Sequence, residues 1–209
     1  FGATGDLMSR KIIPSLAYLH LKGMLPRRFR ILGWGRRGWN DAQLRAHVAA
    51  VLADYPGPKP AGDDLSGFLS MFFYHDGAFD DAEAYRRLRT NLQYYNLDST
   101  LTSLLLTSAE AGEGKSSTSA NLAVVMAQSG IRVILVDADL RKPRQHRIFG
   151  ALRQPGLAEA LRSGFSPDLL QPVAGVPNLR LLPSGETVPN PAEVLGSQRM
   201  RQLFEQLRA

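Results

Sequence analysis

The sequence predicts an α/β fold with mostly parallel sheets. Three observations carry the prediction. Apolar strand-like runs alternate with helix-like periodicity along the whole chain. Two Gly-rich turns, Gly2–Gly5 and Ala109–Gly114, each run into a helix-like segment. Finally, Leu104-Leu105-Leu106 and Val133-Ile134-Leu135-Val136 are consecutive apolar residues, the pattern of strands covered on both faces.

The elements follow in order. After the first turn, Ile12, Leu16, Leu19 and Leu25 recur at roughly helical spacing. Phe29–Gly33 reads as a short strand, and Asn40 is an N-cap for a helix bearing Leu44, Val48, Val51 and Leu52. Tyr55–Gly67, rich in Pro, Gly and Asp, reads as a loop, and Phe68–Tyr74 as a strand. Asp80 opens a helix to about Tyr95, Ser103–Thr107 is a buried strand, and a helix spans Ser116–Gln128 with Gly130 as its stop. A strand at Arg132–Val136, a short helix near Ala158, a strand at Leu179–Leu182, a Pro-rich loop and a helix from Pro191 onward complete the series.

The bulk numbers narrow the function classes. The chain has 209 residues, 44% hydrophobic and 21% charged, in the range of globular proteins. It has no cysteine, which excludes disulfides and thiolate metal sites and agrees with a reducing cytoplasm. The net charge of +6 suits anionic partners such as nucleotides. Its basic residues are scattered and no nucleic-acid motif accompanies them, so no nucleic-acid partner is expected. No apolar run approaches a membrane span. Phe1 enters a Gly-rich turn with no complete strand before it, and Ala209 closes a helix-like stretch without a stop signal, so both ends read as cut.

Ala109-Glu110-Ala111-Gly112-Glu113-Gly114-Lys115-Ser116 lies between an apolar run and a helix and has the register of a P-loop, with alanine where the pattern begins with glycine. In such a loop backbone N–H groups curl around phosphates and the helix N-terminus faces the anion. Lys115 then reaches the β- and γ-phosphates of Mg-ATP, and the Ser116 hydroxyl ligates Mg²⁺; Gly112, Glu113, Gly114 and Ser117 complete the cradle. One βα unit later, Asp137, Asp139 and Arg141 follow four apolar residues, at the carboxyl end of a strand where open α/β sheets bind ligands. Asp137 and Asp139 are candidates to hold Mg²⁺ or to accept a proton from an attacking hydroxyl.

These two motifs resemble the bacterial tyrosine kinases of capsule and exopolysaccharide assembly, within the ParA- and MinD-like P-loop ATPases. The likeness extends through Asn178-Leu179-Arg180-Leu181-Leu182-Pro183-Ser184-Gly185 and Pro189-Asn190-Pro191-Ala192-Glu193-Val194-Leu195. In that family the Asp-x-Asp-x-Arg strand end is the Walker A′ element. Ala109 occupies the position where partition ATPases carry a signature lysine, which favours the kinase branch. Glu83, Arg86 and Arg89 match the E-x-x-R-x-x-R motif with which such kinases build a ring of subunits. The resemblance also implies a separate membrane-anchored activator, and hence a place in the cytoplasm at the inner face of the cell membrane. The Walker B strand of the family is expected beyond Ala209, and its C-terminal tyrosine cluster has no counterpart here. The activity implied is tyrosine autophosphorylation or slow ATP hydrolysis.

The first third resembles something else. Gly2-Ala3-Thr4-Gly5-Asp6-Leu7, then Lys11, Pro14 and Leu16, then Gly23-Met24-Leu25-Pro26 and Ile31-Leu32-Gly33-Trp34-Gly35-Arg36, are similar to the amino-terminal coenzyme domain of glucose-6-phosphate dehydrogenase. The resemblance implies that Gly2, Thr4, Gly5, Asp6 and Leu7 cradle the pyrophosphate of NADP and that Arg36 meets its 2′-phosphate. It aligns Lys11 with a lysine near the substrate. His20, His47, His75 and His146 read as packing or surface residues rather than catalytic bases.

The expected organisation is therefore an incomplete Rossmann unit, residues 1–82, followed by an incomplete P-loop NTPase domain, residues 83–209. Acidic residues before Glu83 are all aspartate, while glutamate predominates afterwards, which points to different origins for the two parts. Three functions follow as expectations: Mg-ATP binding by the kinase-like part, NADP binding by the dehydrogenase-like part, or a fusion of two fragments without function.

Overall fold

The computed structural model describes residues 8–25, 30–35, 38–76, 81–94, 102–107 and 114–208. The fold is α/β with parallel strand pairs, as the alternation predicts. The chain divides into two compact units, Phe1–Ala84 with Leu105–Lys115, and Tyr85–Leu104 with Ser116–Ala209.

In the first unit a π-helical turn, Met8–Ile12, feeds α1 (Ile13–Leu21). Pro14 sits in the first turn of α1, where its fixed φ suits the helix. Strands β1 (Ile31–Gly35) and β2 (Phe72–Asp76) pair in parallel, Ile31 opposite Phe72. A parallel pair needs a long crossover. Here it is α2 (Asp41–Asp54) and α3 (Gly62–Leu69). Asn40 caps α2 as expected: its side chain accepts from Gln43 N–H at 3.0 Å, and the Gln43 side chain accepts from Asn40 N–H at 2.9 Å. Asp41 Oδ1 then accepts from Tyr74 N–H at 2.7 Å, tying the start of α2 to β2. Met8, Ile13, Leu44, Val48, Leu52, Phe68 and Phe72 form the core, each at most 2% exposed.

Three expectations need correction in this unit. Of the first strand expected at Phe29–Gly33, Phe29 lies outside the described residues; the observed strand is Ile31–Gly35, its register set by the ladder to β2. The loop expected at Tyr55–Gly67 closes early into α3, whose first turn holds Asp63 and Asp64 where the helix dipole favours negative charge. Phe68 therefore belongs to α3, and the second strand runs Phe72–Asp76 rather than Phe68–Tyr74. A short apolar run of this kind does not reveal its own period.

The chain continues through α4 (Ala82–Tyr94). Next come α5 (Lys115–Gln128), which belongs to the second unit from Ser116 onward, and β3 (Val133–Val136). Then come α6 (Gln145–Ile148), α7 (Leu157–Ser163), β4 (Gln171–Pro172) and β5 (Leu179–Leu182). Strand order is β3-β5-β4; β3 and β5 are parallel, β4 and β5 antiparallel. Side chains alternate across β5 as a strand requires. Leu179 and Leu181 pack with Ala123 and Ala127 of α5, while Leu182 packs with Leu157 and Leu161 of α7. The helix expected from Pro191 onward is broken at Gly196 into α8 (Pro191–Leu195) and α9 (Gln198–Arg208), and Met200 and Leu203 of α9 join the α7 side of the core.

The buried strand expected at Ser103–Thr107 is not formed. Residues 102–107 carry no regular structure; Leu104 is 41% and Leu105 80% exposed. A strand exists only through ladder partners, and among the described residues the sheet ends at β3.

Candidate nucleotide site

The site is built at the carboxyl end of β3 and the amino end of α5. Gly114 precedes α5 with φ +82°, a left-handed conformation that glycine adopts without strain. Lys115 and Ser116 open the helix, both half-buried, and Ser117 is exposed. A helix start leaves its first N–H groups without intrahelical partners, so this end presents donors to an anion.

Asp137 follows β3 directly and is only 4% exposed. Its Oδ2 accepts from the backbone N–H of Arg144 at 3.1 Å and of Gln145 at 3.0 Å; its Oδ1 accepts from Asp139 N–H at 3.3 Å. Burial raises its pKa above 3.8, outweighing these donors and aided by the charge of Asp139. A carboxylate offers about four acceptor directions. Three are occupied by the chain itself, so Asp137 organises the 137–145 turn and keeps one acceptor direction for the shell of a cation. Asp139 is half-buried, its Oδ1 accepting from Lys142 N–H at 3.0 Å, and Arg141 is exposed.

Gln145 was not foreseen. It is 4% exposed, and its side-chain nitrogen donates to Ser116 O at 3.0 Å and to Ser119 Oγ at 2.9 Å. Together with its backbone bond to Asp137, it joins Ser116 to Asp137. A glutamine eight residues past an aspartate has no motif to announce it; only the turn that Asp137 holds brings it back to α5.

The chemistry of the donor set fits Mg²⁺. The Ser116 hydroxyl and the carboxylates of Asp137 and Asp139 are hard oxygen donors. Among the described residues no group of three His, Cys, Asp or Glu side chains forms a metal cage. Mg²⁺ sites of phosphate-binding proteins use one or two carboxylates and substrate oxygens instead.

The other expected residues fall elsewhere. Gly112 and Glu113, and the NADP candidates Gly2, Thr4, Gly5, Asp6, Leu7 and Arg36, lie outside the described residues. Lys11 is exposed on the π-helical turn. On α4 Glu83 and Arg86 are exposed and Arg89 is half-buried. Three histidines have structural partners: His20 with Asp64 at 3.0 Å, His47 with Ser9 at 3.4 Å, and buried His75 with Ala84 O at 2.9 Å. His146 Nδ1 is buried without a hydrogen-bond partner, and burial followed by the charge of Arg147 lowers its pKa from 6.5.

Two family models match. Residues 1–110 match the glucose-6-phosphate dehydrogenase NAD binding domain, and residues 104–209 the CobQ/CobB/MinD/ParA nucleotide binding domain. Among curated proteins, the chain is 44% identical over 123 residues to the tyrosine-protein kinase YwqD of Bacillus subtilis, covering 59% of this chain and 52% of that protein. It is 34% identical over 142 residues to the putative tyrosine-protein kinase CapB of Staphylococcus aureus, covering 66% and 61%. The chain thus spans little more than half the length of these relatives. Among solved structures, the kinase domain of the Escherichia coli tyrosine kinase ETK is similar at 35% identity with a TM-score of 0.55, covering 61% of this chain and 50% of that one.

Proposed function

The chain belongs to two families, the CobQ/CobB/MinD/ParA nucleotide binding domain family over residues 104–209 and the glucose-6-phosphate dehydrogenase NAD binding domain family over residues 1–110, and on that premise we propose that its working site binds Mg-ATP at Lys115, Ser116, Asp137 and Asp139. The observation that carries this reading is the bonded link from the first turn of α5 through Gln145 to Asp137, which joins the serine of the P-loop to the first aspartate of the second motif.

In this reading Gly112, Glu113, Gly114 and Ser117 surround the phosphates, and Lys115 offsets the charge of the β- and γ-phosphoryl oxygens. Mg²⁺ bound with ATP would supply positive charge against the charge that develops in phosphoryl transfer. Ser116 and the two aspartates hold the cation's shell. Asp139, the more accessible carboxylate, accepts the proton of an attacking hydroxyl, and Arg141 meets the phosphate anion. The reaction is tyrosine autophosphorylation, or slow ATP hydrolysis when water is the acceptor, in the service of exopolysaccharide synthesis. The names of the three relatives given above, two tyrosine kinases and one putative tyrosine-protein kinase, support the acceptor class. Two partner proposals accompany it: a ring of subunits through Glu83, Arg86 and Arg89, and a membrane-anchored activator at the inner face of the cell membrane. Among the described residues no helix is long and apolar enough to cross a membrane itself.

The test is a thermal melt with and without Mg-ATP. A ligand that binds only the folded state stabilises it by about 2.7 kcal/mol at a hundredfold excess over Kd. The parent should shift and Lys115→Ala should not; equal shifts in both would remove Lys115 from the site.

A second reading concerns residues 1–82. The parallel β1–β2 pair with its helical crossover supports a nucleotide-binding unit there, as does the family match. We place NADP on Gly2, Thr4, Gly5, Asp6, Leu7 and Arg36, in a two-part chain with its junction at residues 82–83. Saturating NADP should raise the melting midpoint of the parent and leave Arg36→Ala unmoved, and a parent that ignores NADP would leave the first part without a ligand.

A further inference from the structure

Gln145 touches both halves of the candidate site. Its side-chain nitrogen donates to Ser116 O and Ser119 Oγ, and Ser119 Oγ itself donates to Ser116 O at 3.0 Å. Its backbone N–H donates to Asp137 Oδ2. A backbone carbonyl only accepts, so the nitrogen of the Gln145 amide must face Ser116, and this assigns the amide's orientation. The amide oxygen, Oε1, is then a buried acceptor with no hydrogen-bond partner. Burying such an acceptor unpaired is costly unless a water or ligand reaches it.

We propose that Gln145 is a positioning residue for the divalent cation: it holds Ser116 at a set distance from Asp137, and its Oε1 accepts a hydrogen bond from a water that the cation carries. The inference rests on the Mg-ATP reading above. Mg²⁺ demands near-octahedral geometry at about 2.1 Å, so a serine and an aspartate that drift apart lose the cation first. The phosphates rely on Lys115 and on backbone N–H groups of the loop and helix, and tolerate that drift better. Residues that orient metal ligands typically cost about 10- to 100-fold in metal affinity when replaced.

The test uses the full chain and the variants Gln145→Met and Gln145→Glu. Methionine keeps length and burial but removes both side-chain donations; glutamate keeps shape but turns an acceptor toward Ser116 O. ATP affinity is measured by calorimetry with Mg²⁺ and with Mg²⁺ removed by a chelator. Both variants should lose about 10-fold or more in the Mg²⁺-supported affinity and less than twofold in the chelated condition. An equal loss in both conditions, or none, overturns the cation role. Hydrogen exchange on the nucleotide-free chain gives an independent reading. The peptide covering Ser116–Ala120 should exchange faster in Gln145→Met while the β5 peptide stays unchanged; unchanged exchange in both overturns the link itself. A parent that binds ATP in neither condition overturns the Mg-ATP reading instead, and the failure then shows in the parent rather than in the variants.

Discussion

At the scale of single residues, the candidate site is held by buried polar atoms that answer one another. Asp137 gathers three backbone N–H groups, and Gln145 carries that order across to Ser116. The neighbouring His146 supplies a pH test of the same turn. Its Nδ1 is buried without a partner, and a protonated imidazole would place a second N–H donor there unsatisfied. Burial, followed by the charge of Arg147, depresses its folded-state pKa below 6.5. A depressed value contributes stability above the unfolded pKa, and that contribution is lost as pH falls from about 6.5 through the folded value. The melting midpoint of the parent should accordingly drop more steeply than that of His146→Gln as pH falls below 6.5. Parallel profiles would show that His146 titrates alike in folded and unfolded chains. Lys115, Ser116, Asp137 and Asp139 stand out in the sequence as candidates because a P-loop site calls for those residue types in that order. Gln145 does not, because its role depends on where a turn delivers it.

At the scale of elements, end signals proved more readable than apolar runs. The Asn40 cap, the stop near Gly130 and the strand Val133–Val136 lie where local chemistry places them. Removing the reciprocal cap in Asn40→Ala leaves the Gln43 N–H without its acceptor. The cost should be about 1 kcal/mol, read as a lower denaturation midpoint for the first unit; an unchanged midpoint would mean that water replaces the cap at no cost. The apolar runs misled twice. Phe68–Tyr74 contains the end of α3 and the start of β2 rather than one strand. Ser103–Thr107 has the composition of a buried strand and exposes Leu104 and Leu105. In both cases the missing information is the partner: hydrophobicity says that a segment prefers burial, while a ladder decides whether it becomes a strand.

At the scale of the whole molecule, two families meet in one chain, and each compact unit has a parallel strand pair and a hydrophobic core. The sequence by itself determined the α/β class, the two family resemblances and the phosphate-binding motif, because alternating periodicity and motif spacing are local properties of a chain. Only the tertiary structure decided the strand order β3-β5-β4, the ends of β1 and β2, the irregular course of residues 102–107, and the link from Ser116 to Asp137 through Gln145. These depend on hydrogen bonds between residues far apart in sequence, such as the 29 positions that separate Ser116 from Gln145. A buried donor or acceptor must find a partner in space, and its neighbours along the chain do not say which one it finds.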